Sequence, residues 1–225
     1  MKKVISFCWY NDIPRYNVGL LENIRLRDII YPDWLIRVYF FNVNAGLLSD
    51  LKNTKNLELV EIKNNKGETY GRFCRFFPSA DKNVDVFISR DLDSRLNYRE
   101  AVAVNQWLEG SERLHAMRDH PHHVTKPIMG GMWGLKGNFD IVSLTDDFKD
   151  FDRRSCDQDF LKSNIWPIFK NDCISHDAYP TGHWGESSSF PEHKPLLLEG
   201  SYVGEQYNEF NKPVYIPFNK KVVTP

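Results

Sequence analysis

The sequence lacks the features that mark secreted, metal-scaffolded and membrane-spanning proteins. It contains four cysteines in 225 residues, and none of them stands in a Cys-x-x-Cys pair. A disulfide framework is therefore not expected, and reduced thiols are the default. The apolar run from Val4 to Tyr10 is too short for a signal peptide or a bilayer span. These absences predict a cytoplasmic protein without a membrane anchor.

The chain also has no excess of charge of either sign. Its 29 Lys and Arg residues against 30 Asp and Glu residues give a formal net charge of −1, which offers no general attraction for nucleic acid. Apolar residues make up 41% and charged residues 26%, as in an ordinary soluble globular protein. We find neither an internal repeat nor a low-complexity tract, so one domain over residues 1–225 is expected.

Short β-branched and aromatic runs alternate with helical patterns through the first half of the chain. Asn17 would cap a helix over 17–30, and Gly110 would end a helix over 98–108. Such alternation predicts an α/β fold with a mostly parallel central sheet and helices on its faces. The predicted strands are 3–10, 34–41, 57–62, 84–88 and 113–117, and the other predicted helices are 45–52, 70–79 and 157–166.

The alternation weakens beyond residue 118. Residues 119–126 are polar and rich in histidine, whereas residues 129–135 are apolar and contain three glycines. The helix over 157–166 should end or kink at Pro167. Residues 176–225 have little periodicity, which predicts loops, short strands and an irregular tail.

One strand runs directly into a pair of acidic residues. Residues 84–88 are β-branched or aromatic apart from Asp85, and Asp91 and Asp93 follow with one residue between them. Open α/β sheets bind ligands beyond the carboxyl ends of their strands. Hard divalent cations prefer oxygen ligands, and two carboxylates can hold one beside a diphosphate. Asp91 and Asp93 are therefore candidate metal ligands, the alternative being a loop that caps the next helix.

Six motifs along the chain form a recognisable set. They are Arg72-Phe73-x-Arg75-Phe76, Phe87-Ile88-Ser89-Arg90-Asp91-Leu92-Asp93-Ser94-Arg95, Met117-Arg118-Asp119-His120-Pro121, Met129-Gly130-Gly131-Met132-Trp133-Gly134, Asp157-Gln158-x-Phe160-Leu161 and Ile165-Trp166-Pro167. Together they resemble small single-domain GT-A-type glycosyltransferases of bacteria and large DNA viruses. The viral group includes the amino-terminal domain of a chlorovirus enzyme thought to build capsid glycans. The similarity runs from the first strand to about Gly204.

The resemblance implies a GT-A fold, the Rossmann-like fold of nucleotide-diphospho-sugar transferases. Residues 1–95 would form the nucleotide-binding half, and residues 96–225 the acceptor-side half and carboxyl-terminal tail. The expected donor is a UDP-sugar, used with manganese or magnesium. A hexose or pentose would pass with inversion to a glycan or glycoconjugate acceptor. Within the acidic motif, Asp93 would bind the cation, and Asp91 would contact the ribose or an ordered water as well as the metal.

Basic and aromatic residues are expected around the nucleotide. Arg72 and Arg75 are three residues apart on a predicted helix, so both can project to nearly the same side. Arginine's planar fork suits phosphate or carboxylate. In the family an arginine here orients the acidic motif or the nucleotide, a role for which Arg75 is preferred; the alternative is a solvated helix face. By analogy of fold, Tyr10 and Asn11 would lie where the base and ribose bind.

The double glycine and the tryptophan after it have two interpretations. Gly130 and Gly131 would let the backbone approach a ligand closely, and the indole of Trp133 could face a sugar ring, which predicts a wall of the sugar pocket. Alternatively, the segment is a tight turn that enters a packed strand, with Trp133 in the core. Asp119 and His120 are expected to line the donor-sugar or acceptor pocket.

One carboxylate is a candidate general base. An inverting transferase needs a group that takes the proton of the acceptor hydroxyl. The matching family motif lies at the start of the helix on the acceptor side, so Asp157 is the candidate. Asp159 is its competitor, and either aspartate could instead stabilise the helix N-terminus.

The histidines are assigned by their position in the chain. Because many enzymes of the family supply a carboxyl-terminal histidine to the metal, His176 is the candidate third ligand and His183 the second choice. His120, His122 and His123 have no cysteine or second histidine pair at ligand spacing, so a structural zinc is not expected.

Two other functions are alternatives, and the first of them, nucleotidyl transfer, also uses paired aspartates on an α/β sheet. A nucleotidyltransferase acting on sugar phosphates would need a Gly-rich, basic triphosphate loop after the first strand, and residues 11–16 lack one. A non-catalytic sugar-nucleotide-binding domain is disfavoured by the retention of both aspartates, the double glycine and Asp157.

Overall fold

The computed structural model describes residues 1–63, 66–67, 69–153, 155–191 and 202–214. Its strands are β1 (Lys3–Tyr10), β2 (Leu35–Phe41), β3 (Leu57–Glu61), β4 (Val86–Arg90), β5 (Leu114–Arg118), β6 (Met132–Lys136) and β7 (Cys173–Asp177). Its α-helices are α1 (Pro14–Ile30), α2 (Ala45–Leu51), α3 (Tyr70–Cys74), α4 (Tyr98–Glu109), α5 (Ile141–Asp147), α6 (Cys156–Phe160) and α7 (Trp166–Phe169). Short 3-10 turns lie at Phe77–Ala80 and His123–Thr125, and a π-helical turn lies at Leu161–Ile165.

One seven-stranded sheet organises the described residues, in the order β3-β2-β1-β4-β6-β5-β7. Strand β1 pairs in parallel with β2 and β4, β2 with β3, and β5 with β7. Strand β6 runs antiparallel to both of its neighbours, β4 and β5. The predicted α/β fold with a mostly parallel sheet is confirmed.

The antiparallel strand β6 brings the double glycine to the acidic pair. Its register pairs Arg90, the last residue of β4, with Met132, the first residue of β6. Asp91 therefore leaves β4 beside the point where Gly131 enters β6. Residues far apart in the sequence meet in this way at one end of the sheet.

Both faces of the sheet are buried under helices. On β1, Ile5 and Phe7 belong to one core, which also contains Leu20 of α1 and Trp107 of α4. Val4 belongs to the core on the opposite face, where α3 and α6 pack. Because alternate residues of a strand point to opposite faces, the mostly apolar strand β1 contributes to both cores.

Helix α1 begins earlier than predicted. Ile13 is its N-cap and Pro14 lies in its first turn, where proline's fixed φ and missing N–H are tolerated. The side chain of Asn17, predicted as the cap, accepts a hydrogen bond from Trp9 Nε1 at 2.7 Å and donates one to Asp12 at 2.7 Å. Asn17 thus ties the helix to the loop after β1.

Two other predicted helices differ from the observed ones. The predicted helix 70–79 is a single turn, α3, followed by the 3-10 turn Phe77–Ala80. Pro167 was expected to end or kink the helix over 157–166; the regular α-helix ends at Phe160, a π-helical turn follows, and α7 then runs through Pro167 to Phe169. Pro167 lies just after this π-helical turn, and helices commonly depart from regular α geometry at prolines and at π turns.

Other predictions concern the cysteines and the chain end. The four cysteines are free thiols, as predicted. Among the described residues, no helix combines the length and hydrophobicity that a bilayer crossing requires. The predictions for residues 192–201 and 215–225, within the loops and tail expected beyond residue 176, lie outside the described residues.

Candidate active site

A cavity of about 470 Å³ opens at the carboxyl ends of β1 and β4. Ligands of open α/β sheets bind at this edge, and the volume is in the range of small-molecule sites. Eight of the predicted site residues line the cavity. They are Tyr10, Arg72, Arg75, Asp91, Asp93, Gly130, Gly131 and Asp157.

Asp91 and Asp93 both line the cavity but differ in exposure. The side chain of Asp91 is 44% exposed and that of Asp93 is 14% exposed. Gln206 Nε2 donates a hydrogen bond to Asp93 Oδ2 at 2.6 Å, and Arg15 Nε lies 3.4 Å from the same oxygen. Burial, and then repulsion by Asp91, raises the pKa of Asp93. A cation bound between the two carboxylates would relieve that repulsion.

The double glycine forms a floor under the charged groups. A Cβ on Gly131 would overlap Asp91 Oδ2, and a Cβ on Gly130 would overlap both Asp157 Oδ2 and Arg75 Nη2. Only glycine leaves room for such close approach of backbone and charged side chains. The spacing of the carboxylates therefore depends on these two residues.

Arg75 joins the acidic groups of the cavity. Its Nη1 donates to Asp91 Oδ1, and its Nη2 donates to Asp157 Oδ2 at 2.8 Å. The side chains of Arg75 and Asp157 are buried. Since a buried charge is costly unless it is paired, the guanidinium compensates the burial of Asp157 while it orients Asp91.

Tyrosines and arginines form the side of the cavity next to β1. The rings of Tyr10 and Tyr16 lie 5.5 Å apart between centroids, and Arg72 Nε donates to the Tyr10 hydroxyl at 3.2 Å. The guanidinium of Arg15 lies 5.0 Å from the centroid of Tyr16. Asn11 is exposed in the turn after β1 at φ 62° and does not line the cavity. Flat aromatic faces beside positive charge suit a nucleobase and its phosphates.

The carboxylate pair fits a divalent cation that is shared with a ligand. Within the described residues, no group of three or more His, Cys, Asp and Glu side chains could hold a metal ion. Ions such as Mg²⁺ are, however, commonly bound by one or two carboxylates together with waters and substrate phosphates. Asp91 and Asp93 supply that number of hard oxygen ligands, at a cavity with room for a diphosphate.

His176 does not reach this cavity, contrary to the prediction of a third metal ligand. It is fully buried in β7, with Nδ1 2.8 Å from His115 Nε2 and Nε2 3.1 Å from Gln106 Oε1. The reason is topological, because β7 lies at the far edge of the sheet from β1 and β4. His183, the second choice, is exposed and packs against the ring of Trp184.

Trp133 lies in the core and not in the cavity wall. Its ring is fully buried and contacts Phe76 and Phe87 edge to face, at centroid distances of 5.3 and 5.0 Å. The prediction of a sugar-pocket wall is therefore wrong for Trp133. The other interpretation, a turn that enters a packed strand with Trp133 in the core, is correct for this residue, and the strand is β6.

Two predicted pocket residues, Asp119 and His120, are not among those that line the cavity. Asp119 is buried and accepts two hydrogen bonds from Arg99, at 2.7 and 2.8 Å. His120 packs against the ring of Tyr202 at a centroid distance of 4.8 Å. His123, in the 3-10 turn after it, lines the cavity instead. Burial lowers the pKa of His123 to about 3, so its ring is neutral at physiological pH.

Among the residues that line the cavity and were not assigned to the site from the sequence are Arg15, Tyr16, Gly204 and Gln206. Arg15 and Tyr16 lie in the first turn of α1. Pro14 was the signal that could have found them, since proline favours the first turn of a helix. Gly204 and Gln206 have no comparable local signal, because a distant part of the chain returns to the cavity through them.

Comparison with known proteins gives matches in structure alone. No protein-family model matches this sequence. No curated protein sequence matches it significantly. Among solved structures, a Pyrobaculum calidifontis mannosyltransferase, PcManGT, in complex with GDP-Man and Mn²⁺ matches with a TM-score of 0.54 and 15% identity. That match covers 81% of this chain and 58% of PcManGT.

Two further structures match over a similar share of this chain. The galactosyltransferase LgtC, in complex with donor and acceptor sugar analogs, has a TM-score of 0.50 and 13% identity, over 79% of this chain and 74% of its own. Residues 1–349 of S. aureus TarS have a TM-score of 0.51 and 11% identity, over 77% and 57%. The chain has the GT-A fold. It spans less than two thirds of the PcManGT and TarS chains, and at these identities the likeness extends to the GT-A fold alone.

Proposed function

We propose that this chain is a metal-dependent glycosyltransferase that uses a nucleotide-diphosphate sugar as donor. The observation that carries the proposal is the pair Asp91 and Asp93, which opens into a cavity at the carboxyl ends of β1 and β4 in a GT-A fold. The fold is shared with a mannosyltransferase solved with GDP-Man and Mn²⁺ and with a galactosyltransferase solved with sugar analogs. UDP is the nucleotide that the motif resemblance favours.

Asp91 and Asp93 would hold Mn²⁺ or Mg²⁺ against the donor diphosphate. Such a cation, when bound, neutralises charge on the leaving diphosphate as the glycosidic bond breaks. The protein contributes preorganised ligands, because Arg75 fixes Asp91 and Gln206 fixes Asp93. A site whose ligands are already oriented needs little rearrangement when the cation and donor arrive.

The aromatic side of the cavity would bind the nucleoside. Tyr10 and Tyr16 present rings to the space beside the acidic pair, and Arg15 and Arg72 add positive charge next to them. A base can pack on an aromatic face, while an arginine fork can bind a phosphate oxygen. The sugar of the donor would then lie over the floor formed by the double glycine.

Asp157 is the proposed general base of an inverting transfer. It lines the cavity next to Gly130, and Arg75 donates a hydrogen bond to its Oδ2, which fixes the orientation of the carboxylate. Its competitor Asp159 is bound by Lys126 and by Arg153, and is not among the residues that line the cavity. Transfer to a glycan hydroxyl would need Asp157 to accept the hydroxyl proton.

Residues of both predicted halves contribute to the cavity. Tyr10 and Asp91 belong to the proposed nucleotide-binding half, 1–95, and Asp157 to the proposed acceptor-side half, 96–225. The cytoplasmic location and the similarity to viral enzymes stay predictions from the sequence.

A screen of nucleotide sugars tests the proposal. We expect one UDP-sugar to raise the melting temperature in the presence of Mn²⁺ but not with EDTA, because a ligand that binds the folded state stabilises it. The protein should also hydrolyse the same donor slowly in the absence of acceptor, which is measured as the release of free sugar. A matched incubation with the corresponding nucleoside monophosphate, which lacks the bridging diphosphate, is the control for nucleoside binding alone.

The other two functions give different outcomes in the same assays. A nucleotidyltransferase would form pyrophosphate from a nucleoside triphosphate and a sugar phosphate. A non-catalytic domain would show the Mn²⁺-dependent thermal shift but release no sugar from any donor. Either result would contradict the proposed transferase.

A further inference from the structure

The segment 202–214 returns to the acidic pair from the far end of the described chain. The N–H of Tyr207 donates to the main-chain oxygen of Asp93 at 2.6 Å, and Gln206 Nε2 donates to the side-chain oxygen Oδ2 at 2.6 Å. One aspartate is therefore held by adjacent residues through both its backbone and its carboxylate.

Contacts before Gln206 fix this segment to the body of the protein. Val203 is fully buried, and its N–H donates to Asp119 Oδ2 at 2.8 Å. Gly204 has a φ of 82°, and a Cβ there would lie 2.5 Å from Met132 Sδ, so the backbone lies directly on the first residue of β6. Glycine is the residue that meets both requirements.

Contacts after Gln206 fix it as well. The guanidinium of Arg95 lies 4.7 Å from the ring centroid of Tyr207, and its Nε donates to Asn211 Oδ1 at 2.9 Å. The N–H of Val214 donates to the Gln206 carbonyl at 2.7 Å, which closes the segment into a turn. The side chain of Gln206 therefore projects toward Asp93 from a backbone that is held on both sides.

The two carboxylates of the acidic pair are oriented in different ways. Asp91 is bound by the buried guanidinium of Arg75. Asp93 has Arg15 at 3.4 Å, beyond the usual length of a charge-assisted hydrogen bond, and the Gln206 amide at 2.6 Å. The Gln206 amide is therefore the short side-chain contact that orients the carboxylate of Asp93.

We propose that Gln206 is a positioning residue of the metal site, which acts by orienting Asp93 and does not bind the nucleotide. This inference rests on the proposed function. Hydrogen-bond partners of metal ligands fix the geometry of those ligands, and their loss commonly weakens metal binding 10-fold to 100-fold. The carboxyl-terminal segment is then part of the catalytic unit and not only a covering of the sheet.

The test is UDP binding by calorimetry across a series of Mn²⁺ concentrations. We expect Gln206→Met, which keeps the side-chain length and removes the amide, to raise the Mn²⁺ concentration for half-maximal UDP binding about 10-fold. UDP affinity at saturating Mn²⁺ should stay within about twofold of wild type. Gln106→Met makes the same chemical change away from the cavity and should change neither quantity. Gln206→Asn, which retains an amide one methylene shorter, carries the test if the Met variant does not fold.

Several outcomes would overturn the inference. One is a Mn²⁺ dependence of the Gln206 variants equal to that of wild type. Another is weaker UDP binding at saturating Mn²⁺ with an unchanged Mn²⁺ midpoint, which would make Gln206 a nucleotide contact. A wild-type protein that binds no UDP at any Mn²⁺ concentration would instead contradict the proposed function itself, so the two failures are distinguishable.

Discussion

Two walls of the cavity are built by different physical means. The strand wall consists of Tyr10, the last residue of β1, and of Asp91 and Asp93, which follow the end of β4; the parallel pairing of β1 with β2 and β4 positions the ends of these strands. The loop wall consists of the segments 129–131, 155–158 and 202–206. It is joined to the strand wall by Arg75, which bonds both Asp157 and Asp91, by the hydrogen bond from Gln206 to Asp93 and by the close approach of Gly131 to Asp91. The strand wall presents the ligands, and the loop wall sets their orientation.

The difference predicts that substitutions in the loop wall act on groups of the strand wall. The largest effect is expected for Gly131→Ala, because the added methyl group would overlap the carboxylate of Asp91. A displacement of about 1 Å in a reacting group can lower rates about 100-fold, and we expect a loss of that order in donor hydrolysis. The measurement is the rate of sugar release from the donor with Mn²⁺.

Gly46→Ala is the matched control for that variant. Gly46 lies in α2, away from the cavity, and an added methyl group would meet only the side chain of Asn44, at 3.3 Å. Hydrolysis should be unchanged in this variant. Equal rates of donor hydrolysis in Gly131→Ala and Gly46→Ala would contradict the role of Gly131 in positioning Asp91.

The second prediction concerns the ion pair that joins the two walls. Arg75→Ala would leave the buried carboxylate of Asp157 without its partner, and such a loss commonly costs about 3 kcal/mol in the free energy of unfolding. Urea denaturation measures it. Arg153 also pairs with two aspartates, but at the exposed surface, so Arg153→Ala should show no measurable change. Equal free energies of unfolding for Arg75→Ala and Arg153→Ala would contradict a buried ion pair between Arg75 and Asp157.

The third prediction concerns the buried His176, which lies outside the cavity. Burial lowers the pKa of His176 from 6.5 to about 4. The folded protein then binds fewer protons than the unfolded chain in this range, so the contribution of His176 to stability is complete above pH 6.5 and is lost as the pH falls toward 4. The slope for one proton is about 1.4 kcal/mol per pH unit.

His176→Asn should therefore make the free energy of unfolding less dependent on pH between 6.5 and 4. Urea denaturation at several pH values measures the slope. The exposed His183 is the control, and His183→Asn should retain the wild-type slope. If the two variants have the same slope, His176 titrates normally and does not lie in the environment described.

The smallest effect is expected for Trp133→Phe. Trp133 packs in the core against Phe76 and Phe87, so the smaller ring should cost about 1 kcal/mol in the free energy of unfolding. Mn²⁺-dependent UDP affinity should stay within about twofold of wild type. A large loss of UDP affinity with an unchanged free energy of unfolding would indicate that Trp133 contacts the ligand and does not lie in the core.

The strand wall could be predicted from the sequence because each of its signals is local. An apolar run that ends in Asp91-Leu92-Asp93 specifies both the strand and the carboxylates beyond it, and the alternation of elements specifies which edge of the sheet they share. The apolar run also predicted Tyr10 as the last residue of β1, whereas its place beside the nucleotide was predicted by analogy of fold. The carboxyl ends of β1 and β4 lie side by side because the two strands are parallel neighbours.

The loop wall could be predicted only in part because long-range contacts build it. The double glycine was visible as a motif, but the burial of Trp133 depends on the face of β6 that packs against the aromatic core. His176 was misassigned since its position depends on β7 being an edge strand. Gln206 meets Asp93 across the whole second half of the chain, and no periodicity or spacing encodes that contact.

The most direct test of the account is whether Asp93 binds a cation against a nucleotide diphosphate. Calorimetry of wild-type protein and of the isosteric variant Asp93→Asn, each titrated with UDP in Mn²⁺ and in EDTA, measures it. We predict that wild type binds UDP in Mn²⁺ and at least 10-fold more weakly in EDTA, and that the variant loses this difference. Equal UDP affinity of the two proteins in Mn²⁺, or an affinity of wild type that EDTA does not change, would contradict the account.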